Sequence, residues 1–124
     1  MTDLPAIDVL LAQARRRLDR VRPESLAEEL AAGAILIDTR PIEQRQRDGE
    51  LPGATVVDRN VLEWRLDPTS PHRLPIATDP NTRFIIVCNE GYSSSLAAAT
   101  LQQLGLRFAT DLIGGFQAWR SVQP

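Results

Sequence analysis

The sequence predicts an α/β fold, a mainly parallel central sheet with helices on both faces. Three observations predict it. Two short, nearly continuous apolar runs, AILIDTR (34–40) and RFIIVC (83–88), have the look of strands covered on both sides. Helical patterns alternate with the strands, which is the arrangement of successive β–α–β units. The chain has 124 residues, 43% of them apolar and 24% charged, enough for one domain around one core. In sheets of this kind ligands bind outside the carboxyl ends of the strands, where Cys88, Asp38 and Arg40 fall.

The elements follow in order. Ile7, Leu10, Leu11, Ala14, Leu18 and Val21 recur at helical spacing, with Arg15, Arg16, Asp19 and Arg20 between them. This predicts an amphipathic helix within residues 1–22, ahead of a main domain at 23–124. Its arginines read as a solvated face, with a docking surface as the alternative. Pro23 suits the first turn of a second helix, and Ser25 with Glu28 has the spacing of a capping box. Leu26 and Leu30 face inward from that helix, and Gly33 ends it. After the strand at 34–40 comes a helical piece at 41–48, then a turn at Pro52-Gly53 leading into a strand, LPGATVV (51–57). NVLEWRLD (60–67) reads as one or two helical turns. Residues 67–81 carry four of the nine prolines and are expected to be an irregular connection. The strand RFIIVC is followed by a helix at 94–105 stopped by Gly105, a short strand and turn in FATDLIGG (108–115), and a last helical turn at 116–120.

Composition narrows the function. A net charge of −2 gives no general pull toward nucleic acid or an anionic membrane. Every one of the 14 basic residues is arginine, which excludes lysine chemistry such as a Schiff base. One cysteine cannot form an intramolecular disulfide, and with one histidine it leaves too few soft ligands for zinc. No zinc site is therefore expected. The N-terminal twenty residues read as neither signal peptide nor membrane span. With the free thiol, this leads to the expectation of a reducing, cytoplasmic setting.

Cys88 ends the most convincing strand and runs directly into NEGYSS, residues 89–94. Gly91 can take positive φ, which lets successive backbone N–H groups turn inward as an anion nest. The helix beginning near Ser94 adds unsatisfied N–H groups and the positive end of its dipole. Each feature favours thiolate over thiol, so the pattern suits a nucleophilic sulfur with a small anion above it. The alternative is a small buried hydrophobe followed by ordinary turn and cap residues. Trp64 and Trp119 read as packing anchors and His72 as a surface residue.

Several motifs together resemble the rhodanese (sulfurtransferase) family in its single-domain form. They are IDTR (37–40) with Glu43, GELPGA (49–54), IIVCNEGYSS (85–94) and GGFQAW (114–119), spanning roughly residues 23 to 122. The resemblance implies the family's three-layer fold and a sulfurtransferase in which Cys88 accepts a sulfane sulfur as a persulfide. Asn89, Glu90, Gly91, Tyr92, Ser93 and Ser94 would form the substrate-binding loop. The donor would be a small sulfur-containing anion such as thiosulfate, a polysulfide or a persulfide. The acceptor would be cyanide or a thiol, with a carrier protein among the thiol candidates. The resemblance implies a chemistry with no metal and no organic cofactor, in which Asp38 and Arg40 would brace neighbouring loops. Two departures stand out: Glu50 occupies the place of the family's usual histidine, and the loop carries Glu90 but no basic side chain. Arg59 and Arg65 are the candidates to neutralise Glu90, with exposed solubilising charge as their other reading. A phosphatase of the cysteine-loop type would need arginine at the position of Ser94, and that reading is set aside. A non-catalytic rhodanese-like binding or redox-sensing module remains the rival.

Overall fold

The computed structural model describes residues 3–124, so the first two residues of the expected N-terminal helix lie outside the described part. Ten elements follow in order: α1 (Ala6–Arg15), α2 (Leu26–Ala31), β1 (Ile35–Asp38), α3 (Ile42–Asp48), β2 (Thr55–Val56), α4 (Leu62–Leu66), β3 (Phe84–Val87), α5 (Ser93–Gln103), β4 (Thr110–Asp111) and α6 (Gly115–Ser121). Short 3₁₀ turns at Pro23–Ser25 and Arg59–Val61 lead into α2 and α4. The strands form one sheet in the order β2-β1-β3-β4, and every pairing is parallel. β1 and β3 lie side by side in the centre, with Ile35 opposite Phe84 and Asp38 opposite Val87.

The two apolar runs divide by the period-2 alternation of strands. Ile37, Phe84 and Ile86 point to one face, where they meet Leu62 and Leu66 of α4 and Ala97, Ala98 and Leu101 of α5. Leu36, Ile85 and Val87 point to the other, against Leu26 of α2, Leu112 just after β4, and Phe116 of α6. Because both faces are apolar and covered, the alternation is invisible in the sequence and the runs read as continuous. Each inward leucine is a site where truncation to alanine costs about 2–5 kcal/mol, so the two cores fix the ends of β1 and β3 firmly.

The N-terminal segment differs from its helical reading. Helix α1 ends at Arg15, and Leu18 and Val21 do not continue it. Val21 instead forms a parallel bridge with Leu112. Its N–H donates to the Asp111 carbonyl at 3.0 Å, and its own carbonyl accepts from Ile113 N–H at 2.8 Å. An open sheet edge beyond β4 offers backbone partners that outweigh the weak helical preference of a β-branched residue. The Thr110 hydroxyl, Arg83 and Gln102 also donate to carbonyls of Asp19 and Arg17, pinning this stretch down. Helix α1 packs on α5 through Leu11 and Ala14, while Ile7 and Leu10 stay exposed. The capping box at Ser25 and Glu28 does not form: Ser25 has φ −96° and ψ −4°, outside the extended region that a capping side chain needs, and makes no cap hydrogen bond. No helix among the described residues is long and apolar enough to cross a membrane.

Candidate active site

The carboxyl ends of β1 and β3 open on the same side of the sheet. At the end of β1, Asp38 and Arg40 form a fully buried ion pair, with Arg40 Nη2 at 2.9 Å from Asp38 Oδ2. Arg40 Nη2 also donates to the Gly49 carbonyl at 3.0 Å, and its guanidinium stacks 3.7 Å from the Phe116 ring centroid. The pair therefore ties β1 to the end of α3 and to α6. Arg40 Nη1 is the one buried side-chain nitrogen or oxygen among the described residues without a hydrogen-bond partner. Part of that loss is offset by the aromatic face beneath the guanidinium.

At the end of β3 stands Cys88, 7% exposed. Its Sγ accepts hydrogen bonds from the N–H groups of Gly91 at 3.2 Å and Ser94 at 3.4 Å. Ser94 lies in the first turn of α5, whose N–H groups have no partner within the helix, so that amide is free to serve the sulfur. Burial pushes the thiol up, but the hydroxyls of Ser94 and Ser93 and the amides of Ser94 and Gly91 outweigh it, and the thiol lies below its ordinary value. The Ser94 hydroxyl has a single proton and also donates to Asp111 at 2.8 Å. Geometry thus makes the two amides the constant donors, with the hydroxyl shared between sulfur and carboxylate.

The turn closes only because of glycine. Gly91 has φ +86°, and a Cβ there would lie 2.7 Å from the backbone nitrogen of Gly114. From the other side, a Cβ at Gly115 would lie 2.5 Å from the Cys88 carbonyl oxygen. This close approach lets the start of α6 grip the loop. Phe116 N–H donates to the Cys88 carbonyl at 2.9 Å and Gln117 N–H to the Asn89 carbonyl at 3.1 Å. The Gln117 side chain then bridges Asn89 Oδ1 and Asp48 Oδ2, both at 2.9 Å, joining α3, α6 and the cysteine loop.

Above the sulfur is a cavity of about 290 Å³, lined by Thr39, Arg40, Pro41 and Gln44 on one side and Asn89, Glu90, Tyr92 and Ser93 on the other, with Cys88 between them. That volume suits a small anion or the end of a flexible chain. Of the loop residues expected to bind substrate, these four face the cavity, while Gly91 and Ser94 are buried and turned toward the sulfur. Arg59 and Arg65 are not at the cavity. Arg59 pairs with Glu63 at 2.9 Å, one turn along, and Arg65 donates to the His72 carbonyl at 2.7 Å. The packing of Leu62 and Leu66 sets α4 against the sheet and leaves both arginines to partners in their own segment, so neither neutralises Glu90.

The arginines that do reach the loop are Arg15 and Arg20, whose pattern in the sequence reads as a solvated face with a docking surface as the alternative. Both donate to the Gly91 carbonyl, at 2.8 Å and 3.1 Å. Arg20 also pairs with Asp111, a fully buried carboxylate that further accepts the hydroxyls of Ser94 and Ser95 at 2.8 Å and 2.7 Å. An acid between apolar residues in FATDLI was a sequence signal for a buried, partnered carboxylate. Nothing in the sequence said which arginine would partner it.

Comparison with known proteins fits this geometry. The family model of the rhodanese-like domain matches residues 22–122. The thiosulfate sulfurtransferase GlpE of Pseudomonas aeruginosa is 31% identical over 105 residues, which cover 85% of this chain and 86% of that protein. GlpE of Pseudomonas entomophila is 32% identical over 106 residues, covering 85% and 87%. Among solved structures, a Rhodopseudomonas palustris protein described as of unknown function and a possible tyrosine phosphatase is 31% identical with a TM-score of 0.84, covering 98% of this chain and 93% of its own. The human single-domain sulfurtransferase TSTD1 shares the fold at 23% identity and a TM-score of 0.69, covering 85% of this chain and 97% of its own. Sheet order, cysteine loop and family match agree, and the chain belongs to the rhodanese-like domain family.

Proposed function

We propose that this protein is a sulfurtransferase that carries a sulfane sulfur on Cys88. The observation that carries this reading is the convergence of the Gly91 and Ser94 amides on Sγ at the base of an open cavity. Amides fixed in that arrangement stabilise negative charge on Sγ, both in the attacking thiolate and in the thiolate that leaves. The naming of the GlpE relatives as thiosulfate sulfurtransferases supports the reaction class.

In the first half-reaction the Cys88 thiolate attacks the outer sulfur of the donor. A bond forms between Sγ and that sulfur, and the donor's sulfur–sulfur bond breaks with its electron pair. Sulfite leaves from thiosulfate, or a thiolate from an organic persulfide. The Cys88 persulfide then lies among the loop amides and beside Asn89 and Ser93. In the second half-reaction an acceptor thiolate attacks the terminal sulfur, and Cys88 leaves as the thiolate it was at the start. Asp38 and Arg40 touch neither partner in this scheme; they hold the wall of the cavity. Glu90 at the rim disfavours a dianion, which points to singly charged or neutral donors, the persulfides, over thiosulfate.

The test is the intact mass of the reduced protein after brief exposure to thiosulfate and, separately, to polysulfide, with Cys88→Ser as control. One added sulfur atom that cyanide removes, absent in the variant, is the expected result. No gain from either donor on folded protein with a titratable thiol would overturn the reading in favour of a binding module.

A further inference from the structure

The loop around Cys88 carries no basic side chain of its own, yet guanidinium groups hold its outer surface. Arg15 Nη2 donates to the Gly91 carbonyl at 2.8 Å and Arg15 Nε to Ser95 Oγ at 3.1 Å. Arg20 Nη2 donates to the same carbonyl at 3.1 Å, and Arg20 Nε and Nη2 reach the Asp111 carboxylate at 2.8 Å and 3.2 Å. Both arginines precede residue 22, where the rhodanese-like match begins.

We propose that Arg15 and Arg20 are positioning residues for Cys88, supplying through the Gly91 carbonyl the positive charge that the loop's own sequence lacks. The Gly91 carbonyl and the Tyr92 N–H share one trans peptide plane and point in opposite directions. Two charge-assisted hydrogen bonds on the carbonyl fix that plane, polarise it and turn the Tyr92 N–H away from the arginines. They also fix the start of the turn whose other peptide, at Gly91 N, donates to Sγ. The charges sum favourably: two arginines less one Asp111 leave a formal +1 behind the loop. The remaining charges nearby add little to it. Arg40 is spent on Asp38, Asp48 beyond Gln117 is paired with Arg47 and Arg120, Asp8 and Arg16 line the depression beside Tyr92 with opposite signs, and Glu90 opposes the thiolate from the rim. Arg15 also lies 5.6 Å from the Tyr92 ring centroid, which holds the guanidinium over the loop.

The inference rests on the sulfur-transfer reading for its effect on rate, while its effect on the thiol stands apart from that reading. The experiment compares wild type with Arg15→Met, Arg15→Lys and Arg16→Met in the full chain, each checked for folding by thermal melting. Arg15 is the better probe because its removal leaves Asp111 paired with Arg20. The readouts are the pH profile of Cys88 alkylation by iodoacetamide and the rate of cyanide-removable sulfur loading from polysulfide. Arg15→Met is expected to move the alkylation profile to higher pH and slow alkylation at neutral pH by about threefold, with loading slowed at least as much. Arg15→Lys, which keeps the charge and one donor, is expected to recover part of the loss. Arg16→Met, at the residue that follows the same helix, is expected to match wild type. The proposal is overturned if Arg15→Met matches wild type in alkylation, or if Arg16→Met reproduces its shift. A wild type that loads no sulfur while Arg15→Met still shifts alkylation would sink the transfer reading and uphold this one.

Discussion

Replacing Gly91 by alanine tests whether the cysteine loop depends on backbone close approach. Gly91 has φ +86°, a region that costs a residue with a Cβ about 1–2 kcal/mol. The added Cβ would also meet backbone atoms of Gly114 and Gly115 at 2.7–3.1 Å, and these belong to the turn that starts α6, so they cannot swing aside as a side-chain tip could. Overpacking of that kind adds roughly 1–3 kcal/mol. The total expected loss is about 2–5 kcal/mol, a large share of the roughly 5–15 kcal/mol that holds a domain together. Gly53 is the built-in control: its φ is +79°, but nothing lies within 4 Å of a Cβ there, so Gly53→Ala is expected to cost only the conformational part, about 1–2 kcal/mol. Urea unfolding followed by tryptophan fluorescence measures both, since Trp119 packs 5.4 Å from Phe116 beside the loop. Because the shifted turn would also draw the Gly91 amide away from Sγ, Gly91→Ala is expected to move Cys88 alkylation to higher pH, and Gly53→Ala to leave it unchanged. Equal destabilisation by the two substitutions, with unchanged alkylation in both, would refute the close-approach argument.

Further expectations concern charge and pH at the same site. Glu90→Gln removes the carboxylate at the cavity rim and should raise kcat/KM for thiosulfate by about three- to tenfold at low salt, with a smaller change for an uncharged hydropersulfide. An equal change for both donors would mean that Glu90 does not sort them by charge. The lowered Cys88 thiol has a definite sign in stability. An acid whose pKa falls on folding adds stability that is present above its ordinary, unfolded value and is lost as pH falls through the folded one. Stability of wild type relative to Cys88→Ser should therefore grow with pH across that window in urea titrations at several pH values. A flat difference would show that the hydrogen bonds to sulfur do not favour the thiolate.

How much of this was legible beforehand depends on the distance over which each feature is determined. The strands at 34–40 and 83–88, the helix stops at Gly33 and Gly105 and the proline-rich connection are set by local pattern, and they stand in the structure close to where the sequence places them. The cysteine loop was legible for the same reason: strand end, positive-φ glycine and helix start are consecutive in the chain. The path of residues 16–21 was not. Helical periodicity extends through Leu18 and Val21, but the free edge of β4 captures Val21, and a sheet edge is not a property of the local sequence. Charge partners were the least legible. Arg59 and Arg65 stand close to the PGA turn in sequence, and packing of α4 turns them to Glu63 and His72.

By itself, then, the sequence determined the fold class, the order of the elements and the position of the one thiol in a turn of amides, because each follows from short-range steric and hydrophobic pattern. The tertiary structure decided what surrounds that thiol. Only the docking of α1 on α5 brings Arg15 within 2.8 Å of a carbonyl 76 residues away, and only the bridge at Val21 brings Arg20 to Asp111, 91 residues away. Electrostatics acts through space, so a residue's charge can be read from the chain, but its partner is known only once the chain has folded.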